Sequence, residues 1–227
     1  MASNVRILPI LKSSESHIFT EPSKKIHDHG DVSTFLTSKA YTDIMTFILQ
    51  LNRSMFPSKR PDGSAQSWPL DSHDVQVSPP VQGLQELLAK LEAIIQEAPP
   101  DTGPRRFGNI SFRKWYGIVE SRAADLLEEY LLPDVLRKSA SPDGYTAKQE
   151  LMAYFLGSWG SSQRLDYGTG HELSFLAFLA GVWKLGGFPA AADFGVEERS
   201  IVLMIVQPCV LPYCQSVLYT WKADMLF

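Results

Sequence analysis

Cysteine is scarce in this sequence, which has two among 227 residues, and both lie near its end, at Cys209 and Cys214. They form neither a CxxC pair nor a disulfide framework, so their usage favours a reducing compartment. A zinc site would need two more ligands nearby. The segment at 24–31 holds two histidines and two aspartates, but such residues on a loop rarely bind a metal without partners elsewhere. We therefore predict no metal site.

Positive charge is also limited, because 21 lysines and arginines face 25 aspartates and glutamates, giving a net charge of −4. This balance argues against a general nucleic-acid binder. A signal-peptide pattern is lacking, since Arg6 and Pro9 interrupt the apolar stretch at 5–11. The uncharged stretch at 201–221 is long enough to span a bilayer, but its prolines and glutamines disfavour a span. We predict neither nucleic acid nor a membrane as a partner.

Sustained β alternation and internal repeats are both lacking, whereas apolar residues recur at helical spacing along most of the chain. The first helical pattern starts at Val32, with Ser33 or Thr34 as its cap, and stops at Pro57. Further helices are predicted at 81–97, 110–136 with a break or kink at Pro133, 147–156, 173–185 and 196–206. The predicted class is all-α, a compact orthogonal multi-helix array rather than a simple bundle.

The composition divides the chain into three parts. We predict a flexible N-terminal segment at 1–25, a helical domain at 26–206 and an atypical tail at 207–227. Within the domain, 57–80 is rich in Pro, Ser and Asp without periodicity, which indicates an exposed insert loop. Trp68 is its one large anchor, and we expect it to dock on the domain.

The most informative stretch, Gly157–Phe178, reads GSWGSSQRLDYGTGHELSFLAF and leads from small residues into a helix. Thr169 can cap that helix, and Glu172 has the spacing of a capping box. Free amides at a helix start suit an anion such as a phosphate, and Arg164 can add a bidentate contact. From the spacing alone, a well-capped core helix after a glycine turn is the better interpretation. A P-loop is excluded, because no Lys-Ser or Lys-Thr pair follows the glycines.

A second stretch, Arg105–Tyr116, reads RRFGNISFRKWY and interleaves basic with aromatic residues. This mixture can bind nucleic acid or phosphate, because aromatic rings stack and arginines pair with phosphates. In an acidic chain, the favoured interpretation is a connector whose aromatic side chains enter the core while Arg and Lys stay solvated.

These two stretches resemble the signature blocks of a known family. RRFGNISFRKWY and RLDYGTGHELSFLAFL, at 105–116 and 164–179, are similar to the blocks of the phosphotyrosyl phosphatase activator family, also called serine/threonine-protein phosphatase 2A activators. FLTSKAYTDIMTFILQLNRSMF at 35–56 and GSWGSSQ at 157–163 resemble its fungal branch. The resemblance runs from about Ile26 to about Val206.

The resemblance implies an all-helical fold and activation of protein phosphatase 2A by ATP-assisted remodelling of its active site. It also implies peptidyl-prolyl cis/trans isomerase activity, with ATP and Mg²⁺ as the bound cofactors. The implied partners are the catalytic and scaffold subunits of phosphatase 2A and a proline-containing peptide segment. A cytoplasmic location follows from the fungal branch, with the nucleus as a second location.

The resemblance also implies a binding site for the nucleotide, but it leaves the catalytic residues unassigned. By motif match, the nucleotide contacts would be Arg164, Thr169 and Gly170. The neighbours that would shape the pocket are Asp166, Tyr167 and His171.

The sequence departs from the family towards its end. A later block with the pattern V-W-G-L-D-D is absent, and after Val206 two prolines interrupt a helix that should continue. We therefore expect a chain that is truncated at its C-terminus or altered in its tail. Two alternatives to the activator function remain open, a non-catalytic phosphatase-binding module and an inactive truncated product.

Overall fold

The structure is a computed structural model that describes residues 6–12, 17–72, 75–102, 109–139, 144–189 and 194–208. Within these ranges the regular elements are helices apart from one two-stranded hairpin and two isolated β-bridges, which confirms the all-α class. The elements in order are α1 (His29–Leu36), α2 (Lys39–Ser54), β1 (Ser58–Lys59), β2 (Ala65–Gln66), α3 (Pro79–Ala93), α4 (Ser111–Tyr130), α5 (Pro133–Leu136), α6 (Ala147–Gly157), α7 (Thr169–Lys184) and α8 (Val196–Ile201).

The first helical pattern forms two helices rather than one. Asp28 caps α1 by accepting hydrogen bonds from two amides of its first turn, so the predicted caps Ser33 and Thr34 lie inside the helix. Ser38 caps α2 by accepting from the amide three residues on. The prediction of a single helix from Val32 is therefore wrong, because two side-chain caps set separate helix starts.

The predicted positions of the middle helices are confirmed. Ser78 caps α3, which therefore begins at Pro79, and its last turn continues as a 3₁₀ helix at Ile94–Gln96. The pattern at 110–136 forms α4 and α5, separated just before Pro133. Trp115 on α4 is fully buried, and its indole N–H donates to the carbonyl of Leu91 at 3.1 Å. This contact fixes α4 against α3.

The centre of the core is the antiparallel pair of α6 and α7. Nearly every side of α7 is apolar, and α7 packs against both α6 and α2. The rings of Phe155 and Phe178 are fully buried, with centroids 5.4 Å apart. Gly181 lets the two helices approach closely, because a Cβ there would lie 2.7 Å from Leu151 Cδ2. The burial predicted for the 173–185 helix is confirmed.

The N-terminal segment, predicted to be flexible at 1–25, is anchored where the structure describes it. Leu8 is buried, and its amide donates to Gln50 Oε1 at 2.8 Å while its carbonyl accepts from Trp183 Nε1 at 2.9 Å. Phe19 is also buried. Composition alone missed these anchors because single apolar residues in a polar segment give no periodic pattern.

The insert at 57–80 is largely exposed, and its first part forms the β1–β2 hairpin. Trp68 is half-buried, with the guanidinium of Arg199 4.1 Å from its ring centroid. The expected docking of Trp68 on the domain is therefore confirmed.

The first turn of α8 buries two neighbouring carboxyl groups. Glu197 accepts a hydrogen bond from the Ser78 hydroxyl at 2.6 Å. Glu198 accepts from Gln50 Nε2 and from the Gly195 amide, each at 2.9 Å. Burial raises the pKa of Glu197, while the hydrogen bond from Ser78 opposes the rise. Beyond α8 the chain continues as a π-helical turn at Val202–Val206.

Several predicted features lie outside the described residues, including both cysteines, most of the tail at 207–227 and the start of the basic and aromatic stretch at 105–108. In the part of the chain that the structure describes, no helix is both long and apolar enough to cross a membrane.

We expect Gln50→Leu to lower the free energy of unfolding by about 2 to 4 kcal/mol, because it leaves the buried Leu8 amide without its acceptor and removes one of the two hydrogen bonds to the buried Glu198 carboxyl. Urea unfolding measures this loss. Asn52→Leu, at an exposed position of the same helix, is the control and should change stability little. Equal effects of the two substitutions would contradict the role of Gln50.

Candidate functional site

The loop between α6 and α7 closes on itself in a small ring of backbone hydrogen bonds. The Ser161 amide donates to the Asp166 carbonyl at 3.0 Å, and the Leu165 amide donates to the Ser161 carbonyl at 2.7 Å. Leu165 adopts a positive φ of 53°, which a non-glycine residue rarely does. These bonds give Arg164 and Asp166 fixed positions at the tip of the loop.

Gly160 allows the loop to leave α6 in the required direction. Its φ is 101°, a conformation that favours glycine. A Cβ at this position would also lie 2.9 Å from the Asp166 carbonyl oxygen and 3.2 Å from Phe112 Cζ. Both the backbone angle and the packing therefore require glycine here.

The two signature stretches of the sequence meet at this loop. Arg113, from the start of α4, donates from Nε to the Ser162 carbonyl at 3.0 Å and from a terminal nitrogen to the Gln163 carbonyl at 3.3 Å. The sequence did not predict that Arg113 would bind the carbonyls of this loop. The only available signal was its place in the basic and aromatic stretch.

The aromatic residues of that stretch behave as the connector interpretation expects. Phe112 and Trp115 are buried with stacked rings, and Tyr116 is half-buried with its hydroxyl donating to the Leu156 carbonyl at 3.3 Å. Arg113 and Lys114 remain exposed. Phe107 lies outside the described residues.

Arg164 and Asp166 form an exposed ion pair beside the start of α7. Arg164 Nε lies 2.7 Å from Asp166 Oδ2, and the side chains are 65% and 51% exposed. The hydrogen bond from Arg164 lowers the pKa of Asp166, and the same bond raises the pKa of Arg164. Since both groups are exposed, the pair leaves the guanidinium accessible to a ligand from solvent.

The start of α7 is open and differs from the predicted capping box. Gly168 is the N-cap residue and supplies no side-chain bond, while Thr169 is already the first helical residue. The predicted cap at Thr169 with Glu172 is therefore wrong, because the helix starts one residue too early for that spacing. A Cβ added to Gly168 or Gly170 would meet nothing within 4 Å, so the space around this helix end is free.

His171 fastens the start of α7 to the end of α6. Its Nδ1 lies 2.7 Å from the carbonyl oxygen of Gly157, so this nitrogen carries the proton and donates. The half-buried Tyr167 ring stacks on the imidazole, with centroids 5.5 Å apart and an interplanar angle of 23°. This pairing was not predicted, since nothing in the sequence links position 171 to position 157.

The structure thus places all six predicted site residues on one short segment of surface. This segment contains the ion pair of Arg164 and Asp166 and the half-buried rings of Tyr167 and His171. It also contains the open helix start at Thr169 and Gly170. Among the described residues, no group of three or more His, Cys, Asp or Glu is placed to hold a metal ion. The arrangement offers a guanidinium and a helix start to an anionic ligand.

Comparison with known sequences identifies the family of the chain. A sequence model of the family described as phosphotyrosyl phosphate activator (PTPA) protein matches residues 22–218. The chain belongs to this family. The matched residues include the whole segment from α1 to α8 and extend into the tail that we describe as atypical from 207 onward.

Curated relatives in the PTPA family carry a common name. A protein from Emericella nidulans named "Serine/threonine-protein phosphatase 2A activator 1" is 66% identical over 207 residues, covering 91% of this chain and 48% of that protein. A relative of the same name from Aspergillus fumigatus is 63% identical, and the match covers 90% of this chain and 43% of that protein. A relative from Schizosaccharomyces pombe is 34% identical, and the match covers 92% of this chain and 56% of that protein. The chain thus spans about half the length of these curated relatives.

A solved structure supports the PTPA fold. The crystal structure of the PP2A phosphatase activator Ypa1 PTPA1 superposes with a TM-score of 0.69 at 28% identity. The superposition covers 94% of this chain and 61% of that one. The described helices therefore follow the arrangement of a phosphatase activator over most of this chain.

Replacing Gly160 with alanine should destabilise the PTPA domain by about 1 to 3 kcal/mol, because the new Cβ meets the Asp166 carbonyl in a conformation that favours glycine. Urea unfolding of the variant measures the loss. Gly117→Ala is the matched control, since a Cβ there meets nothing within 4 Å, and it should stabilise α4 by about 0.5 to 1 kcal/mol. Similar signs for both variants would contradict this explanation.

In Arg164→Gln, the pKa of Asp166 should rise toward its ordinary value, because the bond that lowers it is lost. A lowered carboxyl pKa contributes stability above the ordinary pKa and loses it as the pH falls through the lowered value. Titration of the carboxyl carbons by NMR measures the change. Asp62, whose pKa is lowered by hydrogen bonds from Ser64, is the internal control and should not move. An unchanged Asp166 would contradict the pairing.

Proposed function

We propose that this chain carries the nucleotide-binding part of a protein phosphatase 2A activator, and that the start of α7 holds phosphates of ATP. The observation that carries the proposal is the open helix start beside the exposed Arg164, within a segment that resembles a family signature block. The relatives' shared name supplies the phosphatase as the target.

The glycines at this helix start support a ligand. Gly168 is extended, with φ of −169°, so its backbone does not need glycine. Gly170 lies in the helix, where glycine costs about 0.5 to 1 kcal/mol relative to alanine. Neither position has a packing neighbour that a Cβ would meet. Close approach of a ligand to the backbone explains both glycines, because a side chain there would block it.

The charges at the site suit a phosphate. The amides and the macrodipole at a helix N-terminus favour an anion, and a guanidinium can donate two parallel hydrogen bonds to phosphate oxygens. Thr169 offers a hydroxyl at the same helix start. The residues present therefore fit the phosphates of ATP, with Arg164, Thr169 and Gly170 as the proposed contacts, and Mg²⁺ would accompany the nucleotide.

The neighbouring side chains would hold these contacts in place. Asp166 orients the Arg164 guanidinium through their hydrogen bond. His171 ties the helix start to Gly157, and Tyr167 covers one face of the imidazole. When bound, ATP would supply negative charge at this point, and we propose that its binding energy would be used to remodel the phosphatase active site.

The peptidyl-prolyl isomerase activity belongs to the same proposal. Rotation about an X-Pro bond is slow, and a groove that binds the twisted bond more tightly than either planar isomer accelerates it without a nucleophile. The substrate would be a proline-containing segment, with the catalytic and scaffold subunits of phosphatase 2A as partners. We propose the cytoplasm as the location, with the nucleus as a second.

The activator function is tested by adding the chain and ATP to inactive phosphatase 2A and measuring dephosphorylation. We expect activity to rise with both present and to remain at baseline without ATP. An isomerisation assay on a proline peptide, run in parallel, separates activation from isomerisation. Equal isomerisation rates with and without the chain would favour a binding module, and no gain in dephosphorylation would contradict activation by this chain.

Arg164→Ala should weaken ATP binding about tenfold, because a charge-assisted contact to phosphate is lost. Isothermal titration calorimetry measures the affinity. Arg60→Ala, at an exposed position in the insert, removes the same charge away from the site and should bind ATP like the unmodified chain. Equal ATP affinity in the Arg164 variant and the unmodified chain would refute the role of Arg164.

A further inference from the structure

The N-terminal segment at 6–12, which we call the strap, lies across the end of α7 and forms neither helix nor strand. Within the strap only Leu8 is fully buried, with 1% of its surface exposed. The residues near it remain in solvent, since Ile7 is 47% and Ile10 45% exposed. A single leucine therefore anchors the strap to the domain.

The domain binds the backbone of the strap at three points. The Leu8 amide donates to Gln50 Oε1 at 2.8 Å, and the Leu8 carbonyl accepts from Trp183 Nε1 at 2.9 Å. The Leu11 amide donates to the Lys184 carbonyl at 2.7 Å. Proteins that bind extended peptides combine main-chain hydrogen bonds with a pocket for a chosen side chain. The strap is thus held as a peptide ligand would be held.

The slot that holds Leu8 is oriented by contacts that do not involve the strap. Gln50 Nε2 donates to the buried Glu198 at 2.9 Å, which fixes the opposite end of the same amide. The Trp183 ring packs on Phe47 and Phe188, with centroids 6.0 Å and 5.8 Å away. The slot therefore keeps its acceptor and its donor in place when the strap detaches. Both groups then lack a partner, which favours the binding of another peptide.

The strap has the features of a segment that opens locally. Residues 21–28, which join it to α1, are largely exposed and form no regular structure. Ordering the strap costs conformational entropy at each of its residues, whereas Leu8 is the one side chain that it buries fully. None of its residues belongs to a helix, so the strap can detach while the helices stay folded.

The proline after Leu8 suits this mode of binding. Pro9 is itself exposed, so its ring is not what the slot encloses. A proline restricts the residue before it to extended conformations. Leu8 therefore loses less conformational freedom when it binds than it would before another residue.

We propose that this slot, formed by Gln50, Trp183 and the Lys184 carbonyl, is a peptide-binding site that the strap fills in cis. When the strap detaches, the slot binds a Leu-Pro segment of a partner protein through the same three backbone contacts. The slot lies at the opposite end of α7 from Thr169, and binding needs no isomerisation of the proline bond. The inference therefore does not depend on the proposed ATP or isomerase function.

A fluorescent peptide copy of residues 4–12 tests the proposal on a full chain whose own strap is detached. Leu8→Asp detaches the strap, because it would bury a carboxylate without a partner. Ile7→Asp adds the same charge at an exposed position of the strap and is the control. We expect saturable binding to the Leu8→Asp chain by anisotropy. The Ile7→Asp and unmodified chains should bind more weakly by about tenfold or more, since their strap fills the slot at high effective concentration.

Variants of the peptide identify what the slot recognises. Copies with Leu8→Asp, or with a methyl group on the Leu8 nitrogen, should each bind about tenfold more weakly. A Pro9→Ala copy should bind about threefold more weakly, because fewer of its conformers are extended. A copy with alanine everywhere except Leu8 and Pro9 should stay within about tenfold, because the Leu11 contact is made by the backbone. Equal binding of any of the first three copies, or none of the last, would overturn the proposal.

Hydrogen exchange of the unmodified chain is a test that needs no destabilised variant. A saturating amount of peptide should speed exchange of the chain's own Leu8 amide by about tenfold, since it displaces the strap, and should leave the core amide of Phe178 unchanged. An unchanged Leu8 rate, or no binding to a Leu8→Asp chain that circular dichroism shows to be folded, would overturn the proposal. A dimer in light scattering that Leu8→Asp abolishes would overturn it in favour of strap exchange between two copies.

Discussion

The burial of α7 among apolar side chains is the constraint on which the rest of the structure depends. Because this helix is apolar on nearly every side, α6 must fold back along it, and Gly181 lets the two helices come close enough. The chain therefore has to reverse within the few residues after Gly157. That reversal requires the positive φ of Gly160 and the ring of bonds between Ser161 and Asp166. The same constraint places the polar loop tip and the open start of α7 together on the surface.

This reversal also brings the two signature stretches together. Arg113 on α4 holds the loop through the carbonyls of Ser162 and Gln163, and Phe112 packs against Gly160. The shared sequence blocks of the family thus correspond to one assembled feature rather than two separate ones. The chain spans about half the length of its curated relatives, and this loop and the start of α7 lie within the part of the sequence that matches the family.

Most helices could be predicted from the sequence, whereas the contacts that fix them could not, and the ligand role of the loop before α7 stays a prediction. Apolar periodicity predicted α3, α4 and α6, because each buries one face, whereas α7 was predicted from its nearly continuous apolar sequence. The prediction of the N-cap residue was wrong where several candidates lie close together, since Asp28 caps α1 and not Ser33 or Thr34. The bond from His171 to Gly157 and the burial of Glu198 depend on partners brought close only by the fold, so no local pattern reveals them.

The central claim is that the start of α7 holds a phosphate of ATP, and amide NMR tests it most directly. A titration of the isotope-labelled chain with ATP should shift the backbone amides of Thr169, Gly170 and His171 in a saturable way. Amides of the β1–β2 hairpin, which lies in the insert, should not move. Saturable shifts confined to another part of the chain, or none around residues 164–171, would contradict the account.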